Sequence, residues 1–180
     1  MTRRITASVC LAALLSLSGI ACKGKHNNLA AVQNEEPDRG PQLISNVRMN
    51  DTSAGVQLLS GFYPVESGAW RWTAGKFSVL LKTPPGAAQS GATLSFAFAV
   101  PDAVIEKLKT VKLTASVDGM PLKSEEYSKA GAQVFGADLP ASMLTPDSIK
   151  FDFALDKSIP PGVDKRELGV VATSVGLIPK

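Results

Sequence analysis

Few side chains of this 180-residue chain have types suited to catalysis. His26 is the one histidine, and Cys10 and Cys22 are the two cysteines. His26 lies in a polar stretch, and a Ser–His–Asp or Cys–His arrangement needs an imidazole held in place. So few nitrogen and sulfur ligands argue against zinc, and no clustered Asp/Asn loop of the calcium-binding kind occurs. Neither a metal nor a cofactor is expected. Carboxylates remain in number: Glu66, Glu125, Glu126, Asp138, Asp152, Asp156, Asp164 and Glu167. Glycoside hydrolysis would need two of them, roughly 5–10 Å apart, one with a raised pKa. Glu125 and Glu126 are neighbours and fall on opposite faces of a strand. Asp152 and Asp156 read as solvated surface charges. A second set of residues is suited to binding: Glu66, Trp70, Arg71, Trp72, Asp164, Arg166 and Glu167. An aromatic face beside convergent charges is how small-ligand sites are lined. The same residues could instead lock loops together, because an arginine fork holds a carboxylate through two bonds.

The N-terminus reads as an address. Arg3 and Arg4 precede Val9–Ala21, an uncharged apolar stretch too short to span a bilayer, which needs about 20 residues. A basic start and a short apolar run mark a secretory signal peptide over residues 1–21. Gly19-Ile20-Ala21-Cys22 resembles a bacterial lipobox, with Gly19 where leucine is usual. The resemblance implies cleavage before Cys22, lipidation of its thiol and acylation of the new N-terminus. Two or more chains hold a protein stably on a membrane. The expected location is the cell envelope, with a membrane anchor at Cys22. Ordinary cleavage near Ala21 would instead give a soluble periplasmic or secreted protein.

Charge and composition change once this segment is set aside. The whole chain has 19 Lys+Arg against 16 Asp+Glu, and two of those arginines belong to the signal. The remainder is close to neutral, which gives no reason to expect a nucleic-acid partner. Residues 22–42 include Asn-Asn, Glu-Glu and two prolines, with no aromatic residue. Such a composition cannot bury enough surface to fold, so this segment is expected to be a disordered tether.

A single domain is expected over residues 43–180, and its pattern has period two. Leu94–Val100, Val111–Val117 and Ile149–Leu155 alternate apolar and small or polar residues, as half-buried strands do. Weaker candidates are Val56–Phe62, Ala69–Thr73, Phe77–Lys82, Lys123–Ser128, Gln133–Asp138 and Val170–Leu177. Asp118-Gly119 is a two-residue hairpin signal between two of them. Helical candidates are short, Pro101–Leu108 and Pro140–Leu144. Eight or nine strands without crossover helices predict an all-β, antiparallel β-sandwich or jelly roll. Phe96, Phe98, Phe151 and Phe153 are expected to meet in its core.

Three segments carry a resemblance: Gly61-Phe62-Tyr63-Pro64-Val65-Glu66, Trp70-Arg71-Trp72-Thr73, and Asp164-Lys165-Arg166-Glu167-Leu168-Gly169-Val170. Together they resemble a small β-sandwich module attached to bacterial glycosyltransferases and other cell-surface polysaccharide proteins. The resemblance spans about Leu58 to Leu177 and implies a fold; no transferase domain accompanies it. The expected function is therefore non-catalytic: a tethered binding or assembly module, with surface polysaccharide or envelope proteins as candidate partners. Two alternatives are a small carbohydrate-active hydrolase with paired carboxylates, and a structural protein-interaction module marked by an exposed apolar patch or sheet edge.

Overall fold

The computed structural model describes residues 42–180. The signal peptide, Cys22, His26 and nearly all of the tether lie outside the described residues.

Among the described residues, nine strands form two antiparallel sheets that share one long strand. They are β1 (Asn46–Arg48), β2 (Leu58–Phe62), β3 (Arg71–Lys82), β4 (Ala92–Val100), β5 (Val111–Val117), β6 (Met120–Tyr127), β7 (Gly131–Leu139), β8 (Ser148–Leu155) and β9 (Val171–Pro179). The first sheet places β9 between β1 and β4, with β7 beyond β4. The second runs β2-β3-β8-β5-β6. The start of β3 joins β9 at Arg71 and Trp72, and its remainder pairs with β8 from Lys76 to Lys82. This is the expected all-β sandwich.

Alternation decides which side chains enter the core. Leu94, Phe96, Phe98 and Val100 point inward from β4, and Ile149, Phe151, Phe153 and Leu155 from β8. Phe77 of β3 stacks on Phe153 at 5.0 Å, and Phe96 meets both, which joins the two sheets face to face. Phe98 stacks on Phe96. Phe151 is fully buried in the same core. Fully burying a phenylalanine is worth about 1.5–3 kcal/mol, so this ring cluster is a main source of cohesion.

The turns follow their residue types. Asp118 and Gly119 both have positive φ, 50° and 78°, as the tight β5–β6 hairpin requires. The two helical segments that precede β4 and β5 are short, α1 (Ala87–Ser90) and α2 (Asp102–Leu108). Pro140–Leu144 contains a single 3-10 turn, Ala141–Met143.

Two readings of the sequence need correction. Ala69–Thr73 and Phe77–Lys82 are not separate strands. Arg71–Thr73 and Phe77–Lys82 lie on one strand, with Ala69 and Trp70 in the tip before it, because Ala74-Gly75 continues the extended chain at the point where β3 passes from one sheet to the other. Gly75 is buried there, and a side chain on it would meet the Glu167 carboxylate at 2.6 Å. The three-residue β1 escaped the period-two pattern because it is too short to show one.

Candidate functional site

The site sits where β3 changes sheets. Thr73 is fully buried at this crossing. Its N–H donates to the Val170 carbonyl, its carbonyl accepts from Gly169 N–H, and its hydroxyl accepts from Val170 N–H at 3.1 Å. Gly169 belongs here because a Cβ would come within 2.7 Å of the Ala74 carbonyl, the Thr73 hydroxyl and the Leu155 side chain. The crossing brings three chain segments together: the tip before β3, the start of β3, and the loop before β9.

The tip turns through Ser67 and Gly68, both at positive φ, and is closed by Glu66 N–H donating to the Trp70 carbonyl at 2.8 Å. It leaves Glu66 facing the loop before β9. That loop, residues 160–167, is closed at its base by the Ile159–Leu168 bridge. Asp164 folds it back on itself, accepting the Arg166 backbone N–H at 2.9 Å and its Nε at 3.1 Å.

Arg166 is the hub. Its Nη1 donates to Glu66 at 2.6 Å and its Nη2 to Asp164 at 2.8 Å. The guanidinium also lies 5.2 Å from the centre of the Tyr63 ring, within cation–π range. The hydrogen bonds from the Arg166 side chain, and then from its backbone, hold the Asp164 carboxyl down at about 2. The same bond to Asp164, followed by that to Glu66, raises the Arg166 pKa further. All three side chains are partly exposed, so each pair is worth little in stability and serves mainly to fix geometry.

The other expected residues are held separately. Arg71 donates from Nε to the Met49 carbonyl at 2.9 Å and from Nη1 to the Tyr63 carbonyl at 3.1 Å. It ties β1 and the tip to β3 through backbone oxygens. Glu167 accepts from the Ser158 hydroxyl. Trp70 and Trp72 meet edge to face at 6.5 Å, as their shared parity predicts, and both are half-buried.

A groove of about 280 Å³ opens beside the hub. Trp72, Pro101, Ile159, Val163 and Leu168 form its apolar lining, and Lys107, Asp164 and Arg166 contribute charge. Tyr63 and Lys107 were not among the residues singled out from sequence. Tyr63 lies inside the Gly61–Glu66 motif, so the motif itself was the available signal. Lys107 comes from α2, whose position only the fold reveals.

Glu66 and Asp164 both bond the guanidinium of Arg166, and no carboxyl among the described residues has a raised pKa. The carboxyls with shifted values, Asp51, Asp138 and Asp164, all move down, each chiefly through a side-chain hydrogen bond. A general acid needs the opposite shift. A second hollow, about 360 Å³ on the outer face of the second sheet, has Asp152 as the one carboxylate in its lining. Asp152 pairs with Lys150 at 2.9 Å, and Asp156 accepts from Lys112 N–H. Among the described residues no group of three or more His, Cys, Asp and Glu is placed to hold a metal. No helix among them is long and apolar enough to cross a membrane.

No protein-family model matches the chain, and no curated protein matches it. Solved structures do. One is a structure described as CBM4, 10% identical, covering 79% of this chain and 90% of that one at a TM-score of 0.36. Another is CBM51-2 with the INT domains of ZmpB from Clostridium perfringens in complex with GlcNAc, 11% identical, covering 76% of this chain and 28% of that one at 0.33. A third is dimeric latent PorU from Porphyromonas gingivalis, 10% identical, where the match covers 58% of this chain and 10% of that one at 0.36. The chain thus spans a small part of PorU and of the ZmpB fragment. Its assignment as a β-sandwich rests on its own strand ladders.

Proposed function

We propose that this chain is a non-catalytic, lipid-anchored envelope protein whose β-sandwich binds surface polysaccharide in the groove beside Arg166. The observation that carries this reading is the placement of Trp72. It lines an open groove next to charged groups that are already fixed in orientation. An apolar aromatic surface with a few positioned polar groups is the usual make-up of a small-ligand site. Asp164 and Glu66 are engaged by Arg166, which supports a binding role for this cluster over an acid–base one. The lipobox-like Cys22 supports the anchor.

The position of the site fits a tethered module. The chain enters the fold at Ile44, whose carbonyl accepts from Lys82 N–H at the end of β3. The groove lies at the other end of that strand, by Trp72.

A glycan array with the full chain in mild detergent tests the binding reading. Binding that is lost in Trp72→Ala and kept in Lys150→Ala, on the far outer face, is the expected result. No binding to any glycan, or binding indifferent to Trp72, would remove it. For the anchor, Cys22→Ala is expected to shift the protein from the membrane to the soluble fraction; unchanged membrane association would refute lipidation.

A further inference from the structure

Sheet edges expose unpaired backbone groups, and proteins normally blunt them with short strands, bulges, prolines or charges. Three of the four edges here are blunted. β1 has three residues, and β2 has two register irregularities over five residues. β6 carries Pro121, Lys123, Glu125 and Glu126. The fourth edge, β7, is different. Its nine residues pair with β4 without irregularity, and Gly131–Ala137 contains neither a charge nor a proline.

The open side of β7 can be read from one bond. Lys123 Nζ donates to the Gly136 carbonyl at 2.9 Å, so that carbonyl points away from β4. By alternation Ala132 and Val134 present their N–H and C=O groups on the same side. The Val134 side chain is itself 64% exposed.

We propose that β7 pairs antiparallel with β7 of a second copy, extending the first sheet across a two-fold axis at Val134. This register sets Val134 opposite Val134 and Ala132 opposite Gly136. Each such pair exchanges two backbone bonds. No like charges meet along the ladder. Ala130 falls opposite Asp138, which brings Lys129 of one copy one residue from Asp138 of the other. A second copy suits this edge because it supplies the same neutral strand with complementary charges at the ends. A two-fold contact also closes after two subunits. Lys123 need not leave, since a carbonyl oxygen accepts two bonds.

Analytical ultracentrifugation of the full chain in mild detergent, from about 5 to about 500 μM, tests the proposal. The dimer fraction is expected to rise with concentration. Val134→Lys and Val134→Pro should each weaken association by about tenfold or more. The proline removes an N–H only from the open side, so the β4 ladder remains whole. Circular dichroism and a thermal midpoint close to that of the parent chain check this for both variants. A chain that stays monomeric at the highest concentration, or a dimer that neither variant weakens, overturns the proposal.

Discussion

Thr73→Val isolates the bond that holds the sheet crossing together. Valine has nearly the shape of threonine, so the buried site loses a hydroxyl and no volume. Thr73 is fully buried, and its hydroxyl is the acceptor for Val170 N–H in place of a ladder carbonyl. Without it that N–H has no acceptor at hand in the interior. Leaving a buried donor unpaired costs about 1–3 kcal/mol. For a domain of this size the thermal midpoint should fall by about 2–4 °C per kcal/mol, or roughly 2–12 °C in all. Thr73→Ser supplies the control. It keeps the acceptor and removes one methyl, at about 0.8 kcal/mol. Urea unfolding with an unchanged slope measures both free energies. The expected order is parent, serine, valine, with glycan binding weakened in the valine variant because Trp72 precedes the crossing. A valine variant within about 0.5 kcal/mol of the parent would refute the view that this side-chain bond secures the crossing.

Two further predictions concern the Asp164 loop and strand β2. The Asp164 carboxyl is held at about 2, below its ordinary value near 3.9. A depressed carboxyl contributes its interaction above the unfolded value and loses it as pH falls through the folded one. Hydrogen exchange at the Arg166 amide should therefore stay constant from neutral pH to about 4, after correction for intrinsic rates, and its protection should decline between about 4 and 2. Protection already lost at pH 5 would show that Asp164 does not hold the loop. Gly61 has φ of 73°, and a Cβ there would strike the Lys76 carbonyl and Phe77. Gly61→Ala should destabilise the domain by more than about 2 kcal/mol in the same urea assay, and a neutral effect would contradict the tight β2–β3 approach.

Much of the fold was legible because its cause is local. Leu94–Val100, Val111–Val117 and Ile149–Leu155 alternate strictly, and burial on one face of an antiparallel sheet imposes that period. Asp118-Gly119 named its own turn. The candidate site was legible only as a set of residues. Glu66 and Arg166 lie 100 residues apart, and no local pattern reports that they meet. Arg71 and Glu167 carry charges of the same kinds, yet they bond to backbone carbonyls and to Ser158. Which arginine becomes the hub depends on where the β3 crossing places each side chain.

The sequence alone therefore determined the elements. Alternation, turn residues and the lack of long amphipathic segments required an all-β antiparallel domain, and composition argued against histidine, cysteine and metal chemistry. Tertiary structure decided how those elements meet. It made one strand of two predicted ones, because Ala74-Gly75 carries the extended chain from the β9 ladder to the β8 ladder. It put Trp72 beside Arg166 and drew Arg71 away. It also left β7 at the end of its sheet, with neither charge nor proline of its own from Gly131 to Ala137, since strand order depends on long-range pairing that no short stretch of residues encodes.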